Sequence, residues 1–242
     1  MIRTDLLSVY MVHKWVHAHA PDCAPEWPSE LVADIPQPAR DFAHDFQAAY
    51  GYFDAFYVAQ TLIARTAIQI WKLQNVAILG GGRPHPFSPA PEDVAYFTDG
   101  HPEVVAEAER AGYNVLQFDV RDGDFSALRG VENVIATGLF HFVPDTALRN
   151  LMAQFAQVGV QRVVANNLRS DADPRLFALA EDRLGVPFYG RSIADMERVV
   201  SPDWCLTAAY SLGEFARQFQ GEIGAHVAAQ PNSTNVFLLE RA

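Results

Sequence analysis

The chain has 242 residues, of which 50% are hydrophobic and 19% charged, and its 29 acidic and 18 basic side chains give a formal net charge of -11. That length and balance describe one large soluble domain, or a domain with a small additional unit, and exclude a disordered or fibrous chain. An acidic chain without a Lys/Arg run lacks the footprint that neutralises phosphates, so no nucleic-acid partner is expected.

The two cysteines, Cys23 and Cys205, build neither a disulfide framework nor a CxxC metal motif. The N-terminal MIRTDLLSVYMVHKWVHAHAPD is interrupted by Asp5, His13, Lys14 and His17, so it has no signal-peptide core, and no apolar run reaches the length of about 18 residues that spans a bilayer. The expectation is a cytoplasmic protein with free thiols and no membrane partner.

In chain order, residues 1–72 read as helical. Leu6, Leu7, Tyr10, Val12, Trp15 and Val16 recur at helical spacing, and a Pro-rich connector runs from Pro21 to Pro38. A second helical run from Ala39 to Lys72 carries Phe42, Phe46, Tyr50, Phe53, Tyr57, Leu62 and Ile68 as its stripe, with Gly51 as a point of division. The pattern then changes. Val76–Leu79, Val94–Phe97, Asn114–Phe118, Val131–Ala136 and Val160–Ala165 are short apolar strands. Helices are predicted over Pro102–Ala111, Pro144–Val158 and Pro174–Leu184, each opening on proline and followed by glycine. Two further strands, Trp204–Tyr210 and Asn235–Leu239, end the chain with an insertion between them. This order predicts an α/β fold with a Rossmann-like, mostly parallel sheet. A helical cap over 1–72 would precede a main domain over 73–242.

Ligands of open α/β sheets bind at the carboxyl ends of the strands, near the switch in strand order. Gly80, Gly81 and Gly82 end the first strand there and let backbone approach a ligand. Asp99 ends the second strand and can accept hydrogen bonds from a ribose. Both suit a nicotinamide cofactor or S-adenosylmethionine. The loop GGGRPHPFSPAPED separates them, because Pro84, Pro86, Pro89 and Pro91 oppose the helix that a pyrophosphate needs at its N-terminus. The plainer accounts are a tight turn for the glycines, a helix cap for Asp99 and a surface turn for Asp119.

The segments VAILGGG, YFTDGHPEVVAEAE, VLQFDVRDGDF and VIATGLFHFVPDTALRNLMAQF, taken in order, resemble the motifs of class I S-adenosylmethionine-dependent methyltransferases. The resemblance covers roughly residues 75 to 167 and implies a seven-stranded sheet with an antiparallel strand at its C-terminal end. It also implies S-adenosyl-L-methionine as cofactor. By the same resemblance, Gly80–Gly82 would flank its methionine part, Asp99 and Gly100 its ribose, and Asp119 and Val120 its adenine. Thr137, Gly138, Phe140 and His141 would line the methyl-transfer face. ARTAIQ, NVAILGGG, DGHPEVV and FDVRDGDFSAL are similar to the leucine carboxyl methyltransferase-like branch, which implies Arg65 as the partner of the cofactor's carboxylate. The chain departs from that branch at Gln69, where the branch has Asp, and at Arg83-Pro84-His85.

His141 is a candidate general base for an acceptor hydroxyl, and His85 is a second candidate; both can equally be non-catalytic. His13 and His17, four apart, can share a metal, but no full ligand set accompanies them. Thr137 and Asn166-Asn167 stand where metal-dependent catechol-type enzymes carry acids, so no catalytic metal is expected. Tyr50, Tyr52, Phe53, Phe56 and Tyr57 either wall an apolar acceptor pocket or pack the N-terminal helices. The expected activity is metal-free methyl transfer to a small-molecule acceptor. The alternatives are a nicotinamide-dependent oxidoreductase and an idle methyltransferase-like binding protein. Residues 1–72 either close over the cofactor, pack on the back of the sheet, or form a homodimer surface.

Overall fold

Strands β1 (Val76–Ile78), β2 (Tyr96–Asp99), β3 (Val115–Gln117), β4 (Asn133–Ala136), β5 (Arg162–Leu168), β6 (Trp204–Ser211) and β7 (Thr234–Arg241) form one sheet in the order β3-β2-β1-β4-β5-β7-β6. This computed structural model describes residues 4–19, 33, 35–50, 53–121, 124–219, 222–229 and 233–242. The first five strands pair in parallel, and β7 runs antiparallel to both β5 and β6. The seven-stranded α/β sheet with its antiparallel strand therefore agrees with the expectation from sequence.

The central strands are buried on both faces because their side chains alternate between two cores. Val76, Ile78, Ile135, Val164, Val236 and Leu238 point to one face, and Ala77, Leu79, Val134, Ala136, Val163, Ala165, Phe237 and Leu239 to the other. Helices α1 (Thr4–His19) and α3 (Phe53–Ile70) cover the first face, with Val12, Val16, Val58, Leu62 and Ile63 in its core. Helix α2 (Gln37–Tyr50) separates them in sequence. The helical run foreseen from Ala39 to Lys72, with Gly51 as its point of division, corresponds to α2 and α3. Helix α4 (Pro102–Arg110) follows β2. Helix α5 (Asp145–Val158) covers the second face with Leu148, Leu151, Met152 and Phe155.

The N-terminal helices share their core with β1, β4, β5 and β7. A third cluster joins Met11 of α1 and Phe42 of α2 to Leu176 of helix α6 (Pro174–Leu184). The insertion between β6 and its partner β7 contains α8 (Leu212–Ala216) and α9 (Glu222–Ala228), while α7 (Ile193–Val200) precedes β6. Both α7 and α8 start on a capping box, Ser192 with Asp195 and Ser211 with Glu214, which pairs orphan backbone donors with side chains.

The β1–β2 connection positions the site. Among its residues the sole helical turn is a 3-10 turn at Pro91–Asp93. The four prolines and the Arg83–Glu107 ion pair stand where parallel sheets usually place a covering helix. Among the described residues no helix is long and apolar enough to cross a membrane.

Candidate functional site

A cleft of about 560 Å³ opens at the carboxyl ends of β1 to β4. It is lined by Gly80, Gly81, Gly82, Asp99, Gly100, Asp119, Val120, Thr137, Gly138 and His141, residues from four separate strand ends. The glycine turn is stitched to both neighbouring strands: Leu79 N–H donates to the Ile135 carbonyl at 2.8 Å and Gly81 N–H to the Thr98 carbonyl at 3.0 Å. Gly80 and Gly82 have φ of 60° and 66°, the left-handed region that favours glycine. Gly81 is required for a different reason, since a Cβ there would lie 2.4 Å from the ring of Phe97.

Asp99 is nearly buried and organises the turn. Its Oδ2 accepts from Gly82 N–H at 3.1 Å, and its Oδ1 accepts from His101 N–H at 2.9 Å and lies 2.9 Å from the His101 ring Nδ1. A carboxylate has about four acceptor sites, so Oδ2 keeps capacity for a ligand hydroxyl. The rim beyond is Asp119, gripped by the guanidinium and backbone N–H of Arg121. Those hydrogen bonds hold the Asp119 carboxyl below the usual carboxylate range against the opposing effect of burial.

The segment after β4 forms the facing wall. Gly138 N–H donates to Asn166 Oδ1 at 2.7 Å, and a Cβ on Gly138 would lie 2.7 Å from Gln60 Oε1 of α3. His141 is buried, with its ring 4.3 Å from Phe142 and 5.0 Å from Phe188. Burial, reinforced by the Arg191 cation, lowers its pKa to about 3. The imidazole is therefore neutral at physiological pH and a weak proton acceptor, which argues against general-base work.

Arg191 had no sequence signal, yet it fixes this wall. It is 1% exposed. Its guanidinium donates to the carbonyls of Phe140 and Val143, to Asn167 Oδ1 at 3.2 Å and to the Asp145 carboxylate at 2.9 Å. One planar five-donor group thus ties the turn after β4 to the end of β5 and the start of α5.

Two residues anticipated at the site lie elsewhere. Phe140 is fully buried in the core beneath the cleft, because the 3-10 turn Phe140–Phe142 directs it inward while His141 and Phe142 face the opening. Arg65 lines an adjoining cavity of about 440 Å³ with Gln69, His85 and the Pro-rich loop. It is one helical turn beyond Thr61, the last residue of α3 that reaches the cleft. The cation beside the glycines is instead Arg83, 8% exposed and ion-paired to Glu107. Val12, Gln60 and Thr61 of the N-terminal helices line the cleft, none of them singled out as site residues by the sequence. Val12 was visible there as part of an apolar helical stripe, and Gln60 and Thr61 carried no signal.

His85 lines both cavities. Its Nε2 lies 2.9 Å from the Thr61 hydroxyl, its Nδ1 accepts from Phe87 N–H at 3.4 Å, and burial lowers its pKa to about 4. Among the described residues no three His, Cys, Asp or Glu side chains converge as a metal site. The His13 and His17 rings are 4.1 Å apart, and burial followed by the His17 charge lowers the His13 pKa. The aromatic side chains of residues 50, 52, 53, 56 and 57 lie outside the described part of the structure.

No family model and no curated protein sequence matches the chain. Solved structures do. A DUF574 family protein from Streptomyces avermitilis MA-4680 superimposes with a TM-score of 0.67 at 11% identity, covering 100% of this chain and 98% of that one. Magnesium protoporphyrin IX methyltransferase from Synechocystis PCC 6803, solved with bound S-adenosylhomocysteine, gives 0.53 at 13% identity over 85% and 95% of the two chains. Mitomycin 7-O-methyltransferase gives 0.55 at 13% identity over 98% and 68%. With the strand order and the position of its cleft, the chain carries the class I S-adenosylmethionine-dependent methyltransferase fold.

Proposed function

We propose that the chain transfers a methyl group from S-adenosyl-L-methionine to a small-molecule acceptor by direct displacement, without a metal. The observation that carries this reading is the convergence of Gly80–Gly82, the Asp99 carboxylate and the post-β4 turn on one cleft at the carboxyl ends of the strands. The residues present fit the cofactor. Gly81 lacks the Cβ that would fill the cradle, and Oδ2 of Asp99 has room for a ribose hydroxyl. No α-helix begins behind the glycines to hold a pyrophosphate, which disfavours a dinucleotide. The methyltransferase structures of the same fold support the same cofactor.

The sulfonium supplies an already activated methyl, so the protein's part is alignment. The acceptor's proton would leave to water, since the neutral ring of His141 is a weak proton acceptor. Asp99 and Gly100 hold the ribose, Asp119 and Val120 border the adenine, and Gly80–Gly82 take the methionine part. Arg83, rather than Arg65, offers its guanidinium to the carboxylate, sharing it with Glu107. Thr137, Gly138 and His141 border the transferring methyl, with His141 as a neutral wall. Residues 1–72 act as the front of the site through Val12, Gln60 and Thr61, and the chain works in the cytoplasm. Calorimetric titration with S-adenosylmethionine, S-adenosylhomocysteine and NAD tests the reading: the first two bind and NAD does not. Binding of NAD alone would overturn it.

A further inference from the structure

The cleft is divided by charge. Among the described residues, every charged side chain lining it, Arg83, Asp99, Asp119 and Arg121, comes from the ends of β1, β2 and β3. The part over β4 and the N-terminal helices carries no charged side chain among the described residues: it is lined by Val12, Leu139, Phe142, Val143, Val186, the hydroxyl-bearing Thr61 and Thr137, Gln60 and the neutral ring of His141. A charge buried unpaired against such a surface would lose its hydration without a compensating partner.

The longest polar side chain there is the carboxamide of Gln60. Gln60 is 8% exposed, and what remains exposed faces the cleft. It makes no hydrogen bond to any described residue, although a buried carboxamide ordinarily finds partners. Its Oε1 lies over Gly138, at the turn that borders methyl transfer in the reading above. Ala59 and Leu62 on either side are 1% and 5% exposed, so the helix that presents Gln60 is anchored in the core. A carboxamide with two donors and an acceptor suits a hydroxyl or amide on an otherwise apolar molecule.

We propose that this part of the cleft takes an uncharged, largely apolar small molecule, and that Gln60 is the specificity residue that hydrogen-bonds its reacting polar group. The inference rests on the methyltransferase reading. The test uses the full chain saturated with S-adenosylhomocysteine, titrated by calorimetry with 2-naphthol and with 2-naphthoate, probes of like shape that differ in charge. The naphthol binds and the naphthoate binds at least tenfold more weakly. In Gln60→Leu, whose side chain has similar volume, naphthol affinity falls about 3–10-fold, the worth of one neutral hydrogen bond, while S-adenosylhomocysteine affinity stays within twofold. Gln60→Glu, which keeps the length and adds a charge, also weakens naphthol. Naphthoate binding as well as naphthol, absent naphthol binding, or Gln60 variants indistinguishable from wild type would overturn the proposal. Failure of S-adenosylhomocysteine to bind at all would overturn the methyltransferase reading itself, a different and separable result.

Discussion

Replacing Arg191 with methionine removes the donors that hold the turn after β4 while keeping an unbranched side chain of similar reach. Four acceptors lose their partner. The Asp145 carboxylate is 44% exposed and regains water at little cost. The half-buried Val143 carbonyl at the cleft can also find water, whereas the Phe140 carbonyl and Asn167 Oδ1 do not, since both residues are fully buried. An acceptor left buried and unsatisfied costs about 1–3 kcal/mol, and partial relaxation makes the two less than additive, so Arg191→Met destabilises by about 2–4 kcal/mol. In a domain of this size that lowers the melting temperature by roughly 4–16 °C. Urea denaturation of wild type, Arg191→Met and Arg191→Lys measures it, with lysine intermediate because its compact ammonium cannot reach all four acceptors. A loss below about 1 kcal/mol for methionine would refute the claim that this guanidinium, rather than packing, fixes the wall.

Further outcomes follow from other contacts. Asp99→Ala weakens S-adenosylhomocysteine by about 1–3 kcal/mol, because the ribose acceptor is lost and Gly82 N–H is released; equal calorimetric affinities would sink the ribose assignment. Gly81→Ala costs about 1–3 kcal/mol, since its Cβ would meet the Phe97 ring at 2.4 Å and that ring is pinned 4.7 Å from Tyr113. Adding Phe97→Leu recovers part of this, and strictly additive effects would contradict the clash. The folded pKa values of His141 and His85, about 3 and about 4, lie below the ordinary 6.5. The unfolded chain therefore binds the extra protons, and the contribution of these two histidines to stability is flat above about pH 6.5. Below that it falls by about 1.4 kcal/mol per pH unit for each histidine until the folded pKa is reached. His141→Asn should shed one histidine's share of the slope between pH 5 and 6; an unchanged slope would show that His141 is not buried neutral.

The strands and the acids at their ends were legible because both follow local rules. A short apolar run closed by glycine or aspartate reads as a buried parallel strand wherever it occurs, and Val76–Gly82 and Tyr96–Asp99 needed nothing else. What tertiary geometry decides was not legible. Phe140 and His141 are adjacent, and only the 3-10 turn sends one into the core and the other to the cleft. Arg65 and Thr61 share a helix face, and only the path of the Pro-rich loop assigns them to separate cavities. Arg191 acts across 46 to 51 residues of sequence, beyond any spacing rule. Helices α7 and α8 did carry a local signal in Ser192-x-x-Asp195 and Ser211-x-x-Glu214, and the capping boxes would have located them.

The placement of β7 bears on how the chain is made. It follows every other strand of the sheet in sequence, yet it lies inside the sheet, paired along seven registers to β5 on one side and seven to β6 on the other. Until residues 234–241 have left the ribosome, β5 presents an open ladder to the nascent chain's surroundings and β6 has no partner at all. The parallel strands can assemble vectorially as they emerge, but the sheet closes only once residues 234–241 have followed them. A stalled or prematurely terminated copy lacking these residues would carry two unsatisfied edges, one of them fully apolar at Val163, Val164 and Ala165, and would be a substrate for chaperones or for aggregation rather than a shortened working molecule.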